Sequence, residues 1–141
     1  YHQVIWTDSQ THEYFEESGT MNVMFVIGET LITPALIDTI LDGVTRKSVL
    51  ELARDWGVKV EERKVSIKEV FEAHENGTLK EVFGCGTAAT IDQIITIGYN
   101  DKDYELAPIA DRKFSNKVDE ALRKIRKGKI EDKMNWMLKI I

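Results

Sequence analysis

Cysteine is almost absent from the sequence: Cys85 is the only one among 141 residues. A single cysteine excludes an intrachain disulfide and any cysteine-rich zinc site, and it suits a reducing compartment. Histidine is scarce as well, and the spacing of His2, His12 and His74 fits neither a metal site nor a histidine-activated nucleophile. The sequence therefore predicts a cytoplasmic protein without a bound metal.

Long apolar runs and an excess of basic charge are also missing. The longest largely apolar run, at 21–27, is far too short to span a bilayer, and the N-terminus lacks the basic and apolar regions of a signal peptide. Lys and Arg number 19 against 24 Asp and Glu, which gives a net charge of -5. We therefore expect neither a membrane span nor a nucleic acid partner.

The size of the chain fits one domain. With 141 residues and 43% hydrophobic side chains, it can bury a substantial core. The first residue is Tyr1 rather than Met, and it leads directly into a predicted strand. We therefore expect residues 1–141 to form a single domain that belongs to a longer protein.

Hydrophobic periodicity predicts strands and helices in irregular alternation, without internal repeats. Strands are predicted at 2–6, 12–16, 21–27, 31–33, 58–65 and 79–83, with a hairpin over 93–106 that turns at 100–101. Helices are predicted around 49–56, over 67–74 after a capping box of Ser66 and Glu69, and over 116–127. The aromatic residues predicted to lie in the core or in an interface are Trp6, Trp56 and Trp136. The pattern predicts an α+β (mixed α/β) domain.

One candidate anion site stands directly before the first predicted helix, at Gly43, Val44, Thr45 and Arg46. Free backbone N–H groups at a helix N-terminus concentrate positive potential, so an anion such as a phosphate would be stabilised there. The commoner alternative is that Thr45 only caps the helix and Gly43 only makes a turn.

A second candidate segment interrupts the predicted strand 79–83. Gly84 and Gly86 flank Cys85 and would let the backbone approach a ligand closely, with the Thr87 hydroxyl beside it. The alternative is a β-bulge or a tight turn packed against a neighbour. Cys85 has no adjacent basic residue, so we interpret it as a small filler beside the ligand rather than a nucleophile. Two such segments in one domain favour a phosphate held between them.

Glu17 is a candidate acid at the end of a predicted strand. An ionised carboxylate on a rigid element can pair with a protonated ring nitrogen without any metal. The alternative is that Glu17, in a run with Glu13 and Glu16, belongs to a solvated face.

Four ordered motifs together resemble a known family. They are Glu17-Ser18-Gly19-Thr20-Met21-Asn22, Leu31-Ile32-Thr33-Pro34, Gly43-Val44-Thr45-Arg46 and Phe83-Gly84-Cys85-Gly86-Thr87-Ala88. Their order and spacing resemble the fold-type IV pyridoxal-phosphate enzymes, and most closely the branched-chain amino-acid aminotransferases. The resemblance covers nearly the whole chain. It implies the C-terminal cofactor-binding domain of a two-domain enzyme, with a twisted half-barrel sheet and flanking helices.

The resemblance implies roles for these motifs around pyridoxal 5'-phosphate. Glu17 would hold the pyridine nitrogen protonated. The groups that would hold the phosphate are the backbone N–H groups of Val44 and Thr45, together with Thr87. Thr20 and the backbone around Ala88 would meet the carboxylate of the amino-acid or 2-oxo-acid substrate.

The chain departs from the family pattern in three respects. Met24 stands where an aromatic residue is usual, and Ala89 and Asp92 stand where some members carry a redox-active cysteine pair. The lysine that bonds to the cofactor lies upstream of the Glu17 strand in this family, and no lysine of the chain stands at a matching position. The resemblance therefore implies that residues 1–141 alone do not transaminate and bind the cofactor weakly or not at all. A missing N-terminal domain and a homodimer partner would complete the enzyme.

Three functions remain open from the sequence. The leading hypothesis is that the longer protein transfers the amino group of Leu, Ile or Val to 2-oxoglutarate. A D-amino-acid aminotransferase or an aminodeoxychorismate lyase would share the fold, Glu17 and the phosphate site. A non-catalytic phosphate-binding or interaction module is the alternative from another class.

Overall fold

A computed structural model describes residues 1–140. Within this range the chain forms ten strands and three α-helices, and a short 3₁₀ turn at Ile109–Asp111 precedes the last helix. The strands are β1 Ile5–Thr7, β2 Tyr14–Ser18, β3 Met21–Ile27, β4 Thr30–Thr33, β5 Lys59–Glu62, β6 Val65–Ser66, β7 Leu79–Cys85, β8 Ile91–Gln93, β9 Thr96–Tyr99 and β10 Lys102–Glu105. The helices are α1 Val44–Asp55, α2 Ile67–Glu75 and α3 Phe114–Arg126. The predicted mixed α+β class is confirmed.

Eight of the strands form one sheet with β3 at its centre. β3 pairs antiparallel with β2 at 21–22, with β4 at 25–27, and with β7 over most of its length. β5 joins β4 in parallel, and α1 provides the crossover that a parallel pair requires. The outer strands β1 and β6 pair with β2, β8 pairs with β7, and β9 and β10 form a separate hairpin. The first residues of β3 therefore lie beside both β2 and β7.

Side chains of β3 are buried on both faces of the sheet because successive residues of a strand point to opposite sides. Met24 and Val26 pack with apolar residues of α1 and α3. Val23 and Phe25 pack with α2 and with the β9–β10 hairpin. Each such fully buried side chain contributes about 1.5–3 kcal/mol, so β3 is the most firmly held strand available to carry a site. None of the helices in residues 1–140 has the length and apolar character needed to cross a bilayer.

Local signals in the sequence correctly predicted several turns and caps. Ser66 Oγ accepts the N–H of Glu69 at 3.0 Å at the start of α2. Asn100 and Asp101 both have positive φ, at 49° and 57°, and they close the β9–β10 hairpin. Two successive left-handed residues give the turn whose twist matches that of the paired strands.

Other predicted boundaries are wrong. The strand predicted at 79–83 continues through Gly84 and Cys85, because both still pair with β3. The strand predicted at 58–65 divides into β5, which pairs with β4, and β6, which turns away to pair with β2. The helix predicted from 116 begins at Phe114. Trp6 is 58% exposed on the outer strand β1, which excludes the core for this residue, while its place in an interface stays a prediction.

The turn between β1 and β2 is organised by one carboxylate. Asp8 accepts hydrogen bonds from the N–H groups of Thr11, Glu13 and Tyr14 and from Thr11 Oγ1, at 2.7–2.9 Å. This explains why β2 begins at Tyr14 instead of residue 12. These hydrogen bonds, with that of the Thr11 N–H foremost, hold the pKa of Asp8 below its usual 3.8.

We expect the stabilising effect of Asp8 to depend on pH. Because the folded state lowers the pKa, the contribution is present above the unfolded value of 3.8 and is lost as the pH falls below it. The midpoint of thermal unfolding should therefore be lower for Asp8→Asn than for the wild type at pH 7, and the gap should shrink at pH 3. Asp38→Asn, at an exposed carboxyl, is the control. A gap of equal size at both pH values would contradict this assignment.

Candidate functional site

A row of three side chains crosses the start of the sheet. Glu17 in β2 lies directly opposite Asn22 in β3, and Asn22 lies opposite Cys85 in β7. Directly paired residues place their side chains on the same face, here the face that α1 and α3 cover. Asn22 and Cys85 are buried, whereas Glu17 is half-buried. Glu17 is therefore the accessible end of the row.

The backbone of Leu41 is hydrogen-bonded to two members of this row. Its N–H donates to Glu17 Oε2 at 3.2 Å, and Asn22 Nδ2 donates to its carbonyl at 2.8 Å. Glu17 Oε1 makes no hydrogen bond with any group in residues 1–140. One oxygen of the carboxylate is thus anchored, and the other remains available to a further donor.

α1 begins three residues after Leu41, and its N-terminus has no side-chain cap. Gly43 is the N-cap, no side chain caps the helix, and the first turn contains no acidic residue. The alternative that Thr45 is the cap is therefore wrong. Lys47 N–H is the first to bond back, to the Gly43 carbonyl at 3.0 Å. The N–H groups of Val44, Thr45 and Arg46 are thus left without an acceptor among the described residues, as an anion site requires.

Three glycines allow close approach around the start of β3. A Cβ at Gly43 would overlap Asn22 Oδ1, so glycine is needed where α1 begins against the sheet. A Cβ at Gly84 would meet the Met21 side chain at 2.9 Å, and one at Gly86 would meet the Thr20 carbonyl at 3.2 Å. The glycine segments therefore approach β3 from both sides.

The structure brings the predicted segments together. The start of α1 contacts Asn22, and the segment that ends β7 contacts Thr20 and Met21. Thr87 and Ala88 follow in the exposed loop 86–90, which closes the β7–β8 hairpin. Since neighbouring strands lie about 5 Å apart, Glu17 and the end of β7 are separated by about two strand spacings.

One cavity lies away from this row of side chains. It has a volume of about 590 Å³ and is lined by apolar side chains of the opposite face, such as Phe15, Ile67 and Phe71. Glu17, Val44 and Thr87 are not part of its wall. Within residues 1–140, no group of His, Cys, Asp and Glu side chains could hold a metal ion.

Two polar side chains of the motifs hold the loop between β4 and α1 rather than facing the site. Thr33 Oγ1 donates to the Val23 carbonyl at 2.8 Å. Arg46, only 2% exposed, donates to the Pro34 carbonyl at 3.1 Å and to Glu62 at 2.8 Å. Burial raises the pKa of Glu62, but hydrogen bonds from Arg54 and Arg46 outweigh it, so the net shift is downward.

The family follows from a match over most of the chain. Residues 1–96 match the model of the family described as amino-transferase class IV. The chain belongs to the class IV aminotransferases. The matched region contains Glu17, the start of α1 and the loop 86–90, so the whole cluster lies within the family's own part of the chain.

Relatives of known name agree with this family. The chain is 44% identical over 140 residues to a "Probable branched-chain-amino-acid aminotransferase" of Staphylococcus epidermidis, a match that covers 99% of the chain and 39% of that protein. It is 40% identical to "Branched-chain-amino-acid transaminase 1" of Bacillus subtilis, again over 99% of the chain and 39% of the relative. The chain thus spans about two fifths of the length of these class IV aminotransferases.

Solved structures share the fold. The branched-chain amino acid aminotransferase of Thermobaculum terrenum in its PLP-form superposes with a TM-score of 0.79 at 28% identity, over 96% of the chain and 41% of that protein. The 4-amino-4-deoxychorismate lyase of Pseudomonas aeruginosa superposes with a TM-score of 0.67 at 25% identity, over 88% of the chain and 40% of that protein. The fold is therefore that of the fold-type IV aminotransferases.

Sequence reasoning missed the polar groups that assemble this class IV cluster. Asn22, Thr33 and Arg46 were noted only as parts of motifs, and the Leu41 peptide carries no side-chain signal at all. The signal that the sequence offered was an Asn five residues after the candidate acid, inside the predicted apolar strand 21–27. The roles of the individual site residues stay predictions.

Cys85 is a buried small residue of the same row. Burial raises the pKa of its thiol to about 12, and the nearby Arg46 charge offsets this only in part. The thiolate, which is the reactive form, is therefore scarce at neutral pH. We expect iodoacetamide to spare Cys85 in the native protein and to alkylate it in urea, as measured by peptide mass mapping. Comparable alkylation in both states would contradict this.

Proposed function

We propose that the complete gene product containing this chain is a pyridoxal-phosphate aminotransferase that transfers the amino group of Leu, Ile or Val to 2-oxoglutarate. The observation that carries the proposal is the link between an accessible carboxylate and an uncapped helix N-terminus through the backbone of one residue, Leu41. The relatives named as branched-chain aminotransferases support the substrate class.

The residues present fit pyridoxal phosphate. Three N–H groups without acceptors at α1 suit a phosphate, and the free oxygen of Glu17 suits a protonated ring nitrogen. In this assignment Val44, Thr45 and Thr87 hold the phosphate, and Glu17 holds the ring. When bound, the cofactor supplies the electron-withdrawing ring that makes bonds at the α-carbon of an amino acid breakable.

The substrate end of the proposed site lies beside the same strand. Thr20 is in the turn between β2 and β3, and its carbonyl lies against Gly86. Thr20 and the backbone at Ala88 would orient the substrate carboxylate, and the exposure of both leaves room for a substrate. These residues bind and orient; they do not themselves move a proton.

The lysine that bonds to the cofactor is proposed to lie outside residues 1–141. The share of the relatives that the chain covers, 39%, is consistent with a missing domain that carries it. The chain alone is therefore expected to be inactive, and a homodimer in the cytoplasm is proposed for the complete gene product.

A panel assay tests the function. The complete gene product is incubated with pyridoxal phosphate, 2-oxoglutarate and single amino acids, and glutamate formation is measured. Turnover with Leu, Ile and Val is expected, and turnover confined to D-alanine would refute the proposed substrate class. Because the 4-amino-4-deoxychorismate lyase shares the fold, 4-amino-4-deoxychorismate is included; its cleavage without amino transfer would establish that second function instead.

A further inference from the structure

Asn22 contacts both ends of the proposed cofactor site. Its Nδ2 donates to the Leu41 carbonyl at 2.8 Å, its Oδ1 lies against Gly43, and it sits opposite Glu17 in the sheet. At 5% exposure, the amide is fixed by these contacts rather than solvated. The contacts make Asn22 the shared neighbour of the carboxylate and of the helix start.

The backbone of Leu41 connects these groups, through its N–H on one side and its carbonyl on the other. Its N–H donates to Glu17 at 3.2 Å, and its carbonyl accepts from both Asn22 and the Gly43 N–H, the latter at 2.9 Å. The Leu41 side chain is 71% exposed, so side-chain packing does not hold the Leu41 backbone in place. Its orientation depends on these hydrogen bonds, and only the Asn22 donor comes from the rigid central strand.

We propose that Asn22 is a positioning residue that sets the Glu17 carboxylate and the N-terminus of α1 as one unit, by holding the Leu41 backbone between them. The inference rests on the proposed function, in which Glu17 meets the cofactor ring and α1 meets its phosphate. Asn22 does not touch the cofactor in this assignment. Loss of its donor displaces the Leu41 backbone, and both ends of the site move with it.

Asn22→Asp keeps the shape of the side chain but replaces the donor by an oxygen that faces the Leu41 carbonyl and adds a negative charge, so Asn22→Leu, which removes the donor without adding a charge, is measured beside it. The complete gene product, freed of cofactor, is titrated calorimetrically with inorganic phosphate and with pyridoxamine 5'-phosphate. We expect Asn22→Asp to weaken the binding of both probes by about tenfold or more. Glu17→Gln should weaken only the probe that carries a ring and leave phosphate binding within about twofold.

Ser115→Ala is the matched control for stability. Ser115 is fully buried, and its hydroxyl is hydrogen-bonded to Glu81 and Gln93 rather than to the groups around Leu41, so its loss should lower the unfolding midpoint without changing either affinity. Gly43→Ala is a second variant, because an added Cβ overlaps Asn22 Oδ1 from the other side; it should weaken both probes too. These variants keep the test valid if Asn22→Asp folds poorly.

The possible outcomes are distinct. Weakened phosphate binding in Asn22→Leu as well as in Asn22→Asp and Gly43→Ala, but not in Ser115→Ala, supports the inference, whereas weakening in Asn22→Asp with unchanged affinity in Asn22→Leu would be charge repulsion and would overturn it. A lower unfolding midpoint with unchanged phosphate affinity in Asn22→Asp and Gly43→Ala would make Asn22 merely structural and would overturn the inference. In that case the proposed function still stands if the wild type binds both probes. If the wild type binds neither probe, the proposed function fails, and the inference fails with it.

Discussion

Glu17→Gln is expected to lower the turnover number of the complete gene product by about two to three orders of magnitude, the usual cost of removing one preorganised electrostatic partner. Glutamine retains an oxygen that can accept the Leu41 N–H, so the loop before α1 stays in place. What is lost is the negative charge opposite the ring nitrogen. Turnover is measured at saturating pyridoxal phosphate with leucine and 2-oxoglutarate.

Glu16→Gln is the matched control for this substitution. Glu16 is the adjacent residue of β2 and is also half-buried, but of the two carboxylates only that of Glu17 accepts the Leu41 N–H. We expect turnover within about twofold of the wild type for this variant. Equal losses from both substitutions would attribute the effect to the net charge of the strand and refute the role of Glu17.

Features encoded by neighbouring residues could be predicted from the sequence. The cap at Ser66 and the turn at Asn100-Asp101 each depend on residues within one turn of chain, and both are confirmed. The central strand at 21–27 was predicted to its exact ends because six of its seven residues are buried. Glycine placement indicated close approach around Gly43 and Gly86, and the groups that these glycines approach are Asn22 and Thr20 of the chain itself. Their approach to a ligand stays a prediction.

Features that depend on residues distant in sequence could not be predicted. Leu41 bonds to Glu17, 24 residues away, and to Asn22, 19 residues away. Glycine at 84 suggested a break, yet pairing with β3 overrides its weak strand propensity and extends β7 to Cys85. The start of α3 was misplaced by two residues because the group that caps it lies on β7.

That group is Glu81, whose replacement by alanine should cause the largest loss of stability in the described part of the chain. Its carboxylate accepts the N–H groups of Lys113, Phe114 and Ser115 at 2.7–2.9 Å, and it is 3% exposed. Its negative charge also acts on Arg112, which is 3% exposed. Burial lowers the pKa of the Arg112 guanidinium, and the charge of Glu81 offsets this only in part, so the net shift is downward.

Glu81→Ala leaves the N–H groups of Lys113, Phe114 and Ser115 without their acceptor. Each buried donor left without a partner costs about 1–3 kcal/mol, so we expect a loss of about 3–5 kcal/mol in the urea denaturation of the complete gene product. Hydrogen exchange should quicken most at the first turn of α3.

Glu75→Ala, at an exposed carboxylate that ends α2, should change stability by no more than about 0.5 kcal/mol. Similar losses from both variants would show that Glu81 does not cap α3, and Glu81→Gln, which retains one acceptor oxygen but not the charge, should fall between the two.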